Sequence, residues 1–197
     1  MNSAADLPRV EAIVIGASAG GVEALLSILS PLREGFVLPI IVVLHLPDER
    51  RSHLAEVFAR RVSMPVFEAR DKTHIEAGTL YFATPGYHLS VEHDRSFSLS
   101  LEERVHYSRP AIDFLFESAA DAYGPALAAV LLTGANRDGA SGLANVKRRG
   151  GLTIVQDPEE AQVATMPRAA LDLHQPDHIL PIHGIGRLLV ELERIAC

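Results

Sequence analysis

The sequence predicts an α/β fold: a doubly wound, mostly parallel sheet with helices on both faces and an antiparallel hairpin near one edge. Three observations predict it. Short runs that are almost wholly apolar, "PIIVVLHL" at 39–46 and "ALAAVLL" at 126–132, fit central strands covered on both faces. Segments of helical period alternate with such runs, which is the pattern of parallel strands joined by crossover helices. The stretch "VIGASAGGVEALLSIL", 14–29, ends an apolar strand in a glycine-rich turn and begins a helix at once.

The elements follow in order. A strand over 11–16 leads into a helix over 22–32, where Val22, Leu25, Leu26 and Leu29 recur at helical spacing and Gly35 stops the helix. The run 39–46 is the second strand. A helix over 52–61 has Ser52 as its N-cap. Short strands are expected at 66–68 and 79–83, and alternation at 89–91 and 96–101 around "EHDRS" predicts the hairpin. Pro110 is placed at the first position of a helix reaching about 122. The strand 126–132 precedes a helix over 139–149, closed by Gly150 and Gly151. A strand at 152–156, a helix from Pro167 to about 173, a short strand at 178–180 and an amphipathic helix over 185–195 complete the chain. With no repeat, no low-complexity tract and no linker, 11–197 reads as one domain behind a ten-residue tail, 1–10.

Composition narrows the function. Of 197 residues, 48% are hydrophobic, enough for a sizeable core, and 22% are charged, so the chain folds rather than remaining disordered. The net charge of −7 argues against a general nucleic-acid binder. The basic clusters at Arg50-Arg51, Arg60-Arg61 and Lys147-Arg148-Arg149 read as solvated helix faces. A single cysteine, Cys197, permits neither a disulfide framework nor a thiolate metal site, and suits a reducing, cytoplasmic compartment. The N-terminus lacks the features of a signal peptide, and no apolar run is long enough to cross a bilayer, so no membrane insertion is expected.

Chemistry is expected beyond the carboxyl ends of the parallel strands, where open α/β sheets bind ligands. Three reactive side chains fall there: Ser18 after the first strand, His45 at the end of the second, and Asp138 in "TGANRDG" after the strand at 126–132. Neighbouring strands would bring them to one rim as a triad. The imidazole takes the serine proton, and the carboxylate fixes the ring and stabilises its cation. Gly16-Ala17-Ser18-Ala19-Gly20 matches G-x-S-x-G in the strand–turn–helix setting of a nucleophile elbow. The Ala19 N–H, directly after the nucleophile, is a natural oxyanion donor. Other readings of each piece exist. The glycine turn also suits an N-capping serine or a dinucleotide loop, although no Gly-Lys-Ser/Thr follows and the second strand ends in His45 rather than an acid. Asp138 also suits a cap for the helix that follows it. Asp113 reads as structural. The remaining eight histidines show no metal spacing and read as surface or satisfied core groups. The polar segment 156–170 is either a rim of the site or an ordinary loop.

Five blocks, "IGASAGG", "LHLP", "SRPAIDFLFESAA", "LLTGANRDGASG" and "QDPEEAQVATMPRAA", occur in one order along nearly the whole chain. Together they resemble the catalytic domain of the chemotaxis protein-glutamate methylesterase family. The resemblance implies hydrolysis of glutamate γ-methyl esters on the cytoplasmic signalling helices of chemoreceptors, with release of methanol, and in some members deamidation of glutamine. It implies a Ser–His–Asp triad at Ser18, His45 and Asp138, oxyanion donors at the N–H groups of Ala19 and Ala135, and no metal or organic cofactor. The family stretch usually reads T-G-M-G-x-D-G; here Ala135 replaces the methionine and Asn136 a glycine, and asparagine tolerates positive φ. Many members carry an N-terminal receiver domain. With about ten residues before its first strand, this chain is expected to be a stand-alone esterase, any control coming from a separate regulatory protein. Two other functions share the features: a catalytically silent scaffold of the same fold, and a dinucleotide-binding domain.

Overall fold

The computed structural model describes residues 7–46 and 53–197. Seven parallel strands form the main sheet in the order β3-β4-β2-β1-β7-β8-β9. They are β1 (Ala12–Ala17), β2 (Ile40–Leu44), β3 (Val66–Glu68), β4 (Leu80–Phe82), β7 (Leu127–Leu131), β8 (Leu152–Gln156) and β9 (His178–Leu180). The helices are α1 (Gly21–Leu29), α2 (Leu54–Ala59), α3 (Ile112–Tyr123), α4 (Ala140–Arg148), α5 (Thr165–Leu173) and α6 (Ile182–Ala196).

The apolar runs behave as central strands must. Every residue of β1, β2, β7 and β8 is buried. Alternate side chains enter two separate cores. Ile13, Ile15, Ile40, Val42, Ala128 and Val130 pack with α1, α2 and α6; Ala12, Val14, Ile41, Val43, Ala129 and Leu131 pack with α3, α4 and α5. The hairpin β5 (His88–Val91) and β6 (Phe97–Ser100) is antiparallel, as expected, and is a sheet of its own. Its Leu89, Val91 and Phe97 join the core beneath α3.

The strand order places the chemistry. From β1 the chain moves outward to β2 on one side and later returns to β7 on the other. The adjacent strands β1 and β7 therefore flank the point where winding reverses, where the crevice of such sheets lies. Leu131 pairs with Gly16, and Leu44 with Ala17, so the ends of β2, β1 and β7 lie level.

Several helix starts differ from the sequence expectation: α6 begins at Ile182 rather than 185, and α3 and α5 show why. Helix α3 begins at Ile112 with Ala111 as N-cap, not at Pro110. Its first N–H groups, those of Ile112 and Asp113, donate to the carboxylate of Asp138 at 2.6 and 3.0 Å, so a side chain from another loop sets its start. Helix α5 begins at Thr165, with Pro167 inside its first turn, where a missing N–H leaves no bond unmade. Ser52, Arg50 and Arg51 lie outside the described residues; α2 begins at Leu54 behind His53.

Candidate active site

Ser18 follows β1 immediately. Its N–H donates to Thr133 O at 2.9 Å, and its carbonyl accepts the Gly21 N–H at 2.8 Å, closing the turn into α1. Small residues are required here by contact. A Cβ on Gly134 would stand 3.0 Å from Ser18 Cβ and 2.5 Å from Met166 Cε. Gly20 holds φ +80° beneath Gln162, where a side chain would clash.

His45 is the first residue past β2, its N–H donating to Ala17 O at 3.0 Å. Its ring donates from Nε2 to Asp138 Oδ2 at 2.8 Å. A carboxylate only accepts, so this bond puts the ring proton on Nε2 and leaves the lone pair on Nδ1. Asp138 is wholly buried. It is satisfied by three donors: His45 Nε2 and Ile112 N–H on Oδ2, and Asp113 N–H on Oδ1. The expected role of Asp138 as a cap is real, but the helix it caps is α3; α4 has Gly139 as its N-cap. Asn136 is not at positive φ. Instead its Oδ1 accepts the Asp138 N–H at 3.1 Å, a side-chain turn that aims the aspartate inward.

Thr133 ties three loops together. Its N–H donates to Gln156 Oε1 at 2.8 Å, and its hydroxyl donates to Ala19 O at 2.8 Å. The same oxygen accepts the Val163 N–H at 2.9 Å. The segment after β8 is thereby held beside the Ser18 turn, and Gln162 becomes part of the rim. A cavity of about 550 Å³ opens there, lined by Ser18, Ala19, Gly20, His45, Leu46 and Gln162 among others. Neither the Ala19 nor the Ala135 N–H makes a hydrogen bond with the described residues.

The structure thus brings Ser18 and His45 to one cavity and Asp138 directly behind the imidazole. One contributor is not among the residues singled out from sequence. Ser108 Oγ stands 3.5 Å from His45 Nδ1; the available signal was its place at the head of the block "SRPAID". Asp113, read as structural, accepts the Gly142 N–H at 2.7 Å through Oδ1 and so joins α3 to α4. Burial, and then the nearby charge of Asp138, push its carboxyl up to about 7. His88 is a satisfied core histidine, as expected: Nε2 donates to Glu103 O, Nδ1 accepts the Ala111 N–H, and the ring stacks on Phe114.

The CheB methylesterase family profile matches residues 13–189. The chain belongs to the CheB methylesterase family. A solved family structure, the CheB methylesterase catalytic domain of Thermotoga maritima, superposes with a TM-score of 0.88 at 33% identity, over 93% of this chain and 98% of that one. A relative from Leptospira interrogans is 43% identical over 184 residues, 93% of this chain and 95% of its own length. The protein-glutamate methylesterase/protein-glutamine glutaminase 2 of Anaeromyxobacter dehalogenans is 42% identical over 94% of this chain but only 54% of its own length. This CheB family member thus spans nearly all of one relative and about half of the other.

Proposed function

We propose that the chain hydrolyses γ-methyl esters of glutamate on the cytoplasmic helices of a chemoreceptor, using Ser18 as nucleophile. The observation that carries this reading is the His45–Asp138 bond at the wall of the cavity that Ser18 lines, at the switch point of a CheB-family sheet. Ser18 Oγ attacks the ester carbonyl and its proton passes to His45 Nδ1. Asp138 holds the Nε2–H and stabilises the imidazolium. The N–H groups of Ala19 and Ala135, free of acceptors among the described residues, receive the oxyanion. Collapse breaks the C–O bond to methoxide, which takes the proton from Nδ1 and leaves as methanol. Water then adds to the acyl-enzyme, giving its proton to Nδ1; that proton returns to Ser18 Oγ as the glutamate carboxylate departs. A glutamine side chain enters the same sequence with ammonia as the leaving group. Ser18, His45 and Asp138 carry each of these proton transfers, so the reading calls for no cofactor.

The reaction is assigned to the cytoplasm, because the lone Cys197 suits a reducing compartment. Among the described residues no helix is long and apolar enough to cross a membrane. Methanol release from a methylated receptor fragment tests the reading. Ser18→Ala should lower turnover on the order of 10⁴–10⁶, and a phosphonate probe should label Ser18 in the wild type. Near-normal methanol release from the alanine variant would overturn it. A folded chain that neither releases methanol nor takes the probe would be a scaffold.

A further inference from the structure

The segment 101–110 crosses from the hairpin to α3 and is tied down at every step. Arg109 Nη1 donates to Leu101 O and Glu102 O at 3.1 and 3.0 Å, and Glu103 O accepts from the buried His88 ring at 2.9 Å. Val105 and Ser108 exchange both main-chain hydrogen bonds, at 3.1 and 2.8 Å, closing a two-residue turn at His106 and Tyr107. Both turn residues hold positive φ, 47° and 67°. Tight hairpin turns of this kind ask for Asn-Gly; a histidine followed by a tyrosine enters that region only against steric resistance. Nothing among the described residues accounts for the tyrosine. It is 94% exposed, and its side chain takes no hydrogen bond or ring contact from the described residues. The next residue is Ser108, whose hydroxyl reaches His45 Nδ1. On the other side of the turn His106 Nε2 lies 3.8 Å from Asp113 Oδ2.

A rigid, sterically disfavoured tip that presents an unpacked aromatic ring one residue from the working nitrogen is a binding device in form. Tyrosine supplies a large contact with little side-chain entropy to lose, and the tied backbone has already been ordered. The cavity, at about 550 Å³, leaves Tyr107 outside its walls. We propose that Tyr107 is a docking residue for the protein substrate, its ring packing on the substrate surface beside the esterified glutamate. The turn then fixes that contact relative to His45. This rests on the methylesterase reading and deepens it: selection of a folded protein over a small ester is assigned to the turn and not to the cavity.

The test compares kcat/KM for methanol release from a methylated receptor fragment with that from a free glutamate γ-methyl ester. Tyr107→Asn removes the ring yet suits positive φ, so the turn and the fold survive, with Tm equal to or above the wild type. The preference for the protein ester should fall about tenfold, through KM. Tyr107→Phe, which keeps the ring, should retain it. An unchanged preference in Tyr107→Asn, or a loss in Tyr107→Phe equal to that in Tyr107→Asn, would overturn the proposal while leaving the methylesterase reading intact. Absence of methanol from either substrate with the wild type would overturn both.

Discussion

Asp113 and Asp138 are two carboxylates sharing the space between the starts of α3 and α4, and they are unequal. Asp138 receives three donors, among them the imidazole; Asp113 receives the Gly142 N–H and lies 3.8 Å from His106. Burial, then the Asp138 charge, favour the neutral form of Asp113 up to about pH 7. A carboxyl raised in the folded state stabilises the fold fully below its ordinary 3.8, and that contribution is lost as pH rises toward about 7. The loss is at most about 1.4 kcal/mol for each pH unit crossed. Asp113→Asn cannot ionise and keeps an oxygen for Gly142. Calorimetry across this range should show a flatter Tm profile than the wild type, the variant gaining most at the alkaline end. From sequence, Asp113 was legible as a helix residue. Its partner was not, because the contact joins residues on different elements through backbone N–H groups, which leave no residue pattern.

Among elements, the loop after β7 bears the greatest load. Thr133 holds the Ser18 turn through Ala19 O and the loop after β8 through the Val163 N–H. Thr133→Val keeps the shape and β propensity but leaves both groups without their partner. Stability should fall by about 1–3 kcal/mol, and kcat should fall by more than that change in the folded fraction explains, because Ser18 and Gln162 are released together. Denaturant titration alongside methanol release separates the two effects. Element identity was legible where a run was largely apolar throughout, as in β2, β7 and β8, or one-sided at helical period, as in α6; all four emerge within a few residues of the sequence reading. Helix starts were less so. Proline at 110 and 167 signals a nearby boundary, but the first hydrogen-bonded turn is decided by which acceptor meets the N–H groups, and for α3 that acceptor is Asp138.

At the scale of the molecule, the three strand ends were legible as one rim because only adjacent strands can deliver Ser18, His45 and Asp138 together, and β2-β1-β7 are adjacent. The strap at 101–110 was not, since its backbone leaves regular structure and its polar residues read as any loop. The far side of the fold is fastened by Arg33, whose guanidinium donates to both oxygens of Glu193 on α6 at 3.1 and 2.8 Å. Glu193 is 2% exposed while Arg33 is 58% exposed, so solvent screens half of the pair. Arg33→Ala should cost about 1–3 kcal/mol, read by denaturant titration, with kcat for methanol release unaltered. The bond between Asp138 and the first turn of α3 has a different reach. The group bonded to the imidazole is also the stopper of a long helix, so the His45 contact and the integrity of that layer rise and fall as one event. Amide exchange at positions 112 and 113 would therefore clock the opening of the His45–Asp138 pair without any substrate in the tube.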